Sequence, residues 1–243
     1  MFGEKHTQLK KRHVQTITEK KFRYKKEKAL RVLKFIRSAV HSTTTLGKIR
    51  ETTNSDPFKI LVSTILSART RDAVTDRVAS RLFEKYSDAN SFALANPAQL
   101  ASDIKSVMYY NQKAKNIVGA SKAILEGYGG KVPKNYEELM TLPGVGRKTA
   151  GCVLVYGFGE PAIPVDVHVH RVSNRIGLVN TANPEETEIE LTKLYDRKYW
   201  IDINELFVSF GQTVCLPIGP KCKICPVKIV CKYYRENVRK KLA

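Results

Sequence analysis

Acidic side chains are scarce in this sequence. In 243 residues, 23 Asp and Glu stand against 42 Lys and Arg, a formal net charge of +19. Solubility needs no such surplus, and the imbalance points to a polyanionic partner. Long apolar runs are missing as well. None approaches the roughly 18 to 20 residues of a membrane span, and no hydrophobic stretch marks a signal peptide at the N-terminus. The expected setting is therefore intracellular, in the cytoplasm or against the nucleoid, and reducing. There is no internal repeat and no low-complexity segment beyond the lysine-rich ends. Strand patterning is almost absent: only "IPVDVHVH", residues 163–170, alternates, and one strand has nothing to pair with. A helix beginning at Asp166, whose carboxylate can accept first-turn N–H groups, is the better reading. What remains, 42% hydrophobic residues with a mean hydropathy of −0.30, suffices for an ordinary core.

The charge collects at the two ends. Residues 1–37 hold 13 Lys or Arg against Glu4, Glu19 and Glu27, and residues 219–243 hold eight against Glu236. Between them helix signals follow one another. Val32, Leu33, Ile36 and Val40 share one helical face. Asp56 and Pro57 suit the N-cap and first position of an apolar helix. Asp72 can cap the next segment, Asn96-Pro97 opens another, and Gly127, Gly129 and Gly130 suit a left-handed helix end.

"LPGVGRKTAG", Leu142 to Gly151, resembles a phosphate-binding loop, but Gly144 and Gly146 stand too close together and Arg147 precedes Lys148, so the nucleotide-loop pattern is not met. Its setting reads as helix, tight turn, helix. The two glycines permit positive φ and a close approach of backbone to another surface. The free N–H groups of a helix starting near Arg147 can meet a phosphate of a nucleic-acid backbone without reading its sequence. Lys148 falls in the first turn, beside Arg147 and the positive end of the helix dipole. Two roles remain open at this point, a phosphate contact or a nucleophilic amine. Asp166, at another helix start, can cap that helix or stabilise a cationic intermediate.

Cys215, Cys222, Cys225 and Cys231 lie within 17 residues at spacings x6, x2 and x5. Such density in a reducing compartment indicates a metal centre, and zinc and an iron–sulfur cluster both accept four cysteines. A single C-x2-C pair leans toward iron–sulfur. Lys221 and Lys223 between the ligands suit a phosphate backbone. Cys152 reads as a small buried core residue.

In this order and spacing, "LPGVGRKTAG", "VDVHVHRVSNRIGLV" and the cysteine run, with "FKILVSTILSARTRD" and "YNQKAKNI" ahead of them, closely resemble the endonuclease III family of bifunctional DNA glycosylase/AP lyases over roughly residues 30–235. The resemblance implies an all-α, two-lobed helix–hairpin–helix DNA glycosylase fold with an active site between the lobes. Its parts would be a basic N-terminal extension (1–26), a six-helix lobe with the hairpin (50–160) and an iron–sulfur lobe (27–49 plus 161–243). It implies a [4Fe-4S] cluster on Cys215, Cys222, Cys225 and Cys231, with Lys148 as the catalytic amine and Asp166 as the catalytic carboxylate. The DNA contacts are expected at Leu142, Gly144, Val145, Gly146 and Arg147 of the hairpin, at Arg69 and Tyr109, and at Lys221 and Lys223. The implied partner is duplex DNA bearing a damaged base or abasic site, bound by a monomer. The implied reaction removes oxidised pyrimidines and cuts the strand by β-elimination through a lysine Schiff base. Alternatives are a monofunctional or mismatch-selective glycosylase, against which Lys148 argues, and a non-catalytic iron–sulfur DNA-binding protein. The chain departs from the family's common pattern at Arg69, where bacterial members often have glutamine, at Met108 in place of glycine, and at Val167 in place of threonine.

Overall fold

The computed structural model describes residues 2–40 and 44–241, with side chains over 19–40 and 44–240. Among these residues every regular element is helical. The helices are α1 (Phe2–Ala39), α2 (Thr45–Thr52), α3 (Pro57–Ser67), α4 (Asp72–Lys85), α5 (Ala89–Leu94), α6 (Pro97–Asp103), α7 (Tyr110–Tyr128), α8 (Tyr136–Thr141), α9 (Arg147–Cys152), α10 (Val167–Ile176), α11 (Pro184–Leu194) and α12 (Trp200–Thr213). A π-turn, Val153–Gly157, continues α9.

Local signals decide most boundaries. Asp56 Oδ1 accepts the Phe58 and Lys59 amides at 2.9 and 3.2 Å, and Pro57 opens α3. Its donor-free nitrogen costs nothing at that position. Asn96 caps α6 in the same way. Asp72 does not cap α4: Arg71 takes the extended cap position and Asp72 is the first helical residue, where its charge complements the helix dipole instead. The alternating 163–170 stretch contributes α10 from Val167 onward. α7 ends on Gly129 and Gly130, at φ +58° and +80°, whose left-handed backbone lets the Gly130 amide reach the Ile124 carbonyl at 3.0 Å.

The chain divides into two compact units. One comprises Ser42–Asp166 with Arg197–Glu205, the other the described residues of Met1–His41, Val167–Asp196 and Leu206–Ala243. This division places 44–49, 161–166 and 197–205 with the central helices, rather than with the terminal segments as the sequence suggests. The cause is packing. Leu46 and Ile49 of α2 sit in the same core as Leu61, Ile65 and Phe92, and Ile201 packs against it. Glu205 accepts the Thr44 amide at 2.8 Å. α3 runs through the middle of this unit, buried at Phe58 and at every position from Ile60 to Leu66, which explains a segment apolar on nearly all sides.

In the other unit α1 buries Ala29, Val32, Leu33 and Ile36, a stripe at helical spacing, while Val40 lies beyond the helix end and is half-buried. Lys28 donates to the carbonyls of Ile176 and Gly177 at 2.9 and 3.1 Å, satisfying the open end of α10. Tyr195 donates to the Ala29 carbonyl at 3.0 Å.

Candidate active site

The hairpin between α8 and α9 rests on α7. Gly144 has φ +80°, and a Cβ there would come within 2.7 Å of Asn116, so backbone conformation and space both require glycine. Gly146 is different. Its φ of −106° and ψ of −177° are extended backbone, not the positive φ expected from the sequence, and a Cβ would meet nothing within 4 Å. Nothing inside the protein explains a glycine at that exposed point. Leu142 and Val145 point inward, 2% and 8% exposed, so their side chains belong to the core and only their backbone is available to a ligand. Tyr136 donates to the Arg147 carbonyl at 3.0 Å, and the Arg147 guanidinium lies over the Tyr136 ring at 5.4 Å. The first residues of α8 and α9 are thereby tied together.

Lys148 follows in the first turn of α9, half-buried. One turn further on, Cys152 is fully buried. Burial pushes its thiol up, the nearby Lys148, in hydrogen-bond contact with it, pulls it down, and Asp166 raises it again. Lys148 and Asp166 therefore both act on the same buried thiol, Lys148 by contact and Asp166 through its charge, although 18 residues separate them in sequence. The segment leading into Asp166 is clamped against α9. Gly151 carries no Cβ, and one placed there would lie 3.2 Å from Pro164. Asn204 Nδ2 donates to the Pro164 carbonyl and its Oδ1 accepts the Tyr156 hydroxyl, both at 2.7 Å and both buried.

A second pairing joins two loops of the same unit. Arg69 and Tyr109 each have left-handed backbone, φ +55° and +57°, and both are exposed. Arg69 Nη1 donates to the Tyr109 hydroxyl at 3.3 Å, with the guanidinium 5.9 Å from the ring centre. Beneath them Lys113 is buried and donates to the carbonyls of Leu66 and Ala68 and to Thr70 Oγ1 at 2.7, 2.6 and 3.2 Å.

In the other unit, Cys215, Cys222, Cys225 and Cys231 line one pocket, together with Arg175, Tyr233 and Tyr234. Burial first, and then the neighbouring Cys231, Cys215 and Cys222, push the Cys225 thiol up to about 11, against a backbone hydrogen bond from Val227 that pulls it down. Cys222 and Cys231 are likewise raised, first by burial and then by their fellow cysteines. Four thiols whose ionised forms repel one another at a half-buried site are chemically suited to a shared cationic centre. Among the described residues no three His, Cys, Asp or Glu side chains gather as a single-ion site does; the cysteines surround a space instead. Arg175 braces the loop, donating to the carbonyls of Leu216 and Pro217 at 2.6 and 2.8 Å, and Lys221 and Lys223 are exposed on it.

Residues 62–197 match the HhH-GPD superfamily base excision DNA repair protein family. Endonuclease III of Thermotoga maritima is 49% identical over 183 residues, 75% of this chain and 86% of its own. A solved non-covalent endonuclease III–DNA complex is similar with a TM-score of 0.79 at 33% identity, covering 89% of this chain and 98% of that one. A trapped endonuclease III–DNA covalent intermediate, an estranged-adenine complex, gives 0.72 at 36% identity, covering 77% and 87%. The chain belongs to the endonuclease III family. Its fold is the helix–hairpin–helix glycosylase fold, and it is a base excision DNA repair protein.

The family segment spans Arg69, Tyr109, the hairpin, Lys148 and Asp166, while the cysteine run lies after it. Three residues of this endonuclease III family member that matter to the site escape a motif reading: Asn204, Tyr156 and Lys113. For Lys113 a signal exists. It falls on the same helical face as Ile117, Ala120 and Ile124, all buried, and a lysine on an apolar stripe is a buried charge in need of partners. For Asn204 and Tyr156 no signal exists, since their partners are far off in sequence.

Proposed function

We propose that this protein excises oxidised pyrimidines such as thymine glycol from duplex DNA and then cuts the strand at the abasic site. The observation that carries the reading is the placement of Lys148 in the first turn after a hairpin whose Gly146 leaves open space outside the protein, against buried Cys152, with Asp166 near enough to act on the same thiol through its charge. The flipped nucleotide costs a few kcal/mol to extrude, least for a poorly stacked base. Lys148 Nζ bonds to C1′ of the sugar as the C1′–N bond to the base breaks. The base leaves with the bonding electrons and takes up a proton. Ring opening gives the Schiff base. Loss of a C2′ proton then expels the 3′ phosphate oxygen from C3′, cutting the strand 3′ to the lesion. Asp166 supplies the negative charge that stabilises the cationic intermediates.

Around this centre, the amides at Gly144 and at Gly146 to Lys148 would hold a phosphate of the bound strand, with Leu142 and Val145 shaping the turn through the Val145 amide donated to the Leu142 carbonyl at 3.1 Å and Arg147 adding charge. Arg69 and Tyr109 would enter the gap left by the extruded nucleotide. Cys215, Cys222, Cys225 and Cys231 would hold a [4Fe-4S] cluster, which would anchor the loop carrying Lys221 and Lys223 toward phosphate. The protein would act as a monomer and work where chromosomal DNA is, in keeping with the finding that no described helix is long and apolar enough to cross a membrane. Borohydride trapping on a thymine glycol duplex tests the reading: a covalent adduct is expected with the natural chain and none with Lys148→Gln.

A further inference from the structure

Lys113 is the only charged side chain among the described residues that is buried, at 6% exposure. Burial lowers its pKa to about 8, and three oxygens at hydrogen-bonding distance favour the charged form against that burial. Two of the three are the Leu66 and Ala68 carbonyls at the end of α3, and the third is Thr70 Oγ1. Thr70 Oγ1 also accepts the Met108 amide at 3.3 Å. A single ammonium thus fastens the turn on each side of Arg69 and, through one hydroxyl, the residue before Tyr109.

Both tips it fastens are strained. Arg69 and Tyr109 are not glycine, yet both hold left-handed backbone, a conformation that persists only where the surroundings impose it. Ending α3 accounts for a partner to the buried Leu66 carbonyl, but not for left-handed backbone at 69, which glycine would adopt without strain. The strain has one visible product, an exposed guanidinium held against an exposed phenol ring, with Tyr109 58% accessible and Met108 beside it 54% accessible. Two flat groups fixed in contact form a surface on which nucleobases stack.

We propose that Lys113 is a positioning residue that presents Arg69 and Tyr109 as one preset blade to the base stack, and so sets how strongly the protein prefers a duplex with a gap in it to an intact one. The proposal rests on the reading above in which this pair meets DNA. Fixing the blade before binding removes the ordering cost that a loose arginine and tyrosine would incur on insertion.

The test is the ratio of affinities of the full chain for a duplex bearing a tetrahydrofuran abasic analogue and for the same duplex intact. Lys113→Met should lower that ratio about tenfold, and should change it by less than about twofold in a chain already carrying Arg69→Ala and Tyr109→Ala, since coupled residues are non-additive. A Lys113→Met ratio equal to that of the natural chain, or the same fall in both backgrounds, overturns the proposal. Should Lys113→Met not fold, Thr70→Val removes the shared hydroxyl and is read by the same two comparisons. If the paired substitution of Arg69 and Tyr109 itself leaves the ratio unchanged, the placement of this pair in DNA fails and the proposal with it. If that pair matters and Lys113 does not, only the proposal falls.

Discussion

At the scale of single residues, the two hairpin glycines separate two physical demands that sequence alone merges. Gly144 needs left-handed backbone and has Asn116 where a Cβ would go. Gly144→Ala should therefore cost about 1–3 kcal/mol from backbone strain alone, which for a chain of this size lowers Tm by about 2–4 °C per kcal/mol; thermal unfolding reads it directly. Gly146→Ala meets neither obstacle and should leave Tm unchanged, while weakening duplex binding if a phosphate approaches there. Measured side by side, the pair distinguishes a glycine kept for folding from one kept for contact. Asp166→Asn preserves shape and removes the charge, and should slow base excision by about 10²–10³, the usual loss when a transition-state charge partner goes; single-turnover assays on a thymine glycol duplex measure it. Lys148 and Asp166 were legible as residues because each stands at a helix start beside a recognisable motif. Their common influence on Cys152 was not, since a buried sulfur four residues past the lysine carries no signal of what lies near it.

At the scale of elements, the sequence speaks through end signals. Asp56-Pro57 and Asn96-Pro97 begin α3 and α6 as expected, because a side-chain cap and a donor-free first residue are local devices. Asp72 misleads for the same reason: an acidic residue is equally favourable one position later, in the first turn. The alternating 163–170 stretch is settled by what it must join. Its first half carries no regular structure and is clamped by Asn204 and Gly151, its second half is helix, and Asp166 stands at the change. Tyr156→Phe removes the hydroxyl that satisfies Asn204 Oδ1 in a buried place and should destabilise the fold by about 1–3 kcal/mol, observed in denaturant unfolding. The clamp was invisible in the sequence because residues 156, 164 and 204 meet only in the folded chain.

At the scale of the whole molecule, family membership was legible from the joint order of hairpin, Asp166 segment and cysteine run, none of which suffices alone. The unit boundaries were less so, because the return of Arg197–Glu205 to the central unit depends on packing at Ile201 and Asn204 rather than on composition. The net charge of +19 acts over the entire surface, and α1 concentrates much of it. Deleting residues 1–26, which contain nine Lys and Arg, should reduce the slope of log affinity against log salt by at least about one, each phosphate contact being worth about 0.9; an unchanged slope would show that α1 stays clear of DNA. The most direct test of the central claim remains covalent capture. With borohydride present, the natural chain should form a stable adduct with a thymine glycol duplex and Lys148→Gln, folded to the same Tm, should form none. An adduct of undiminished yield in Lys148→Gln, or none with the natural chain, would contradict the account.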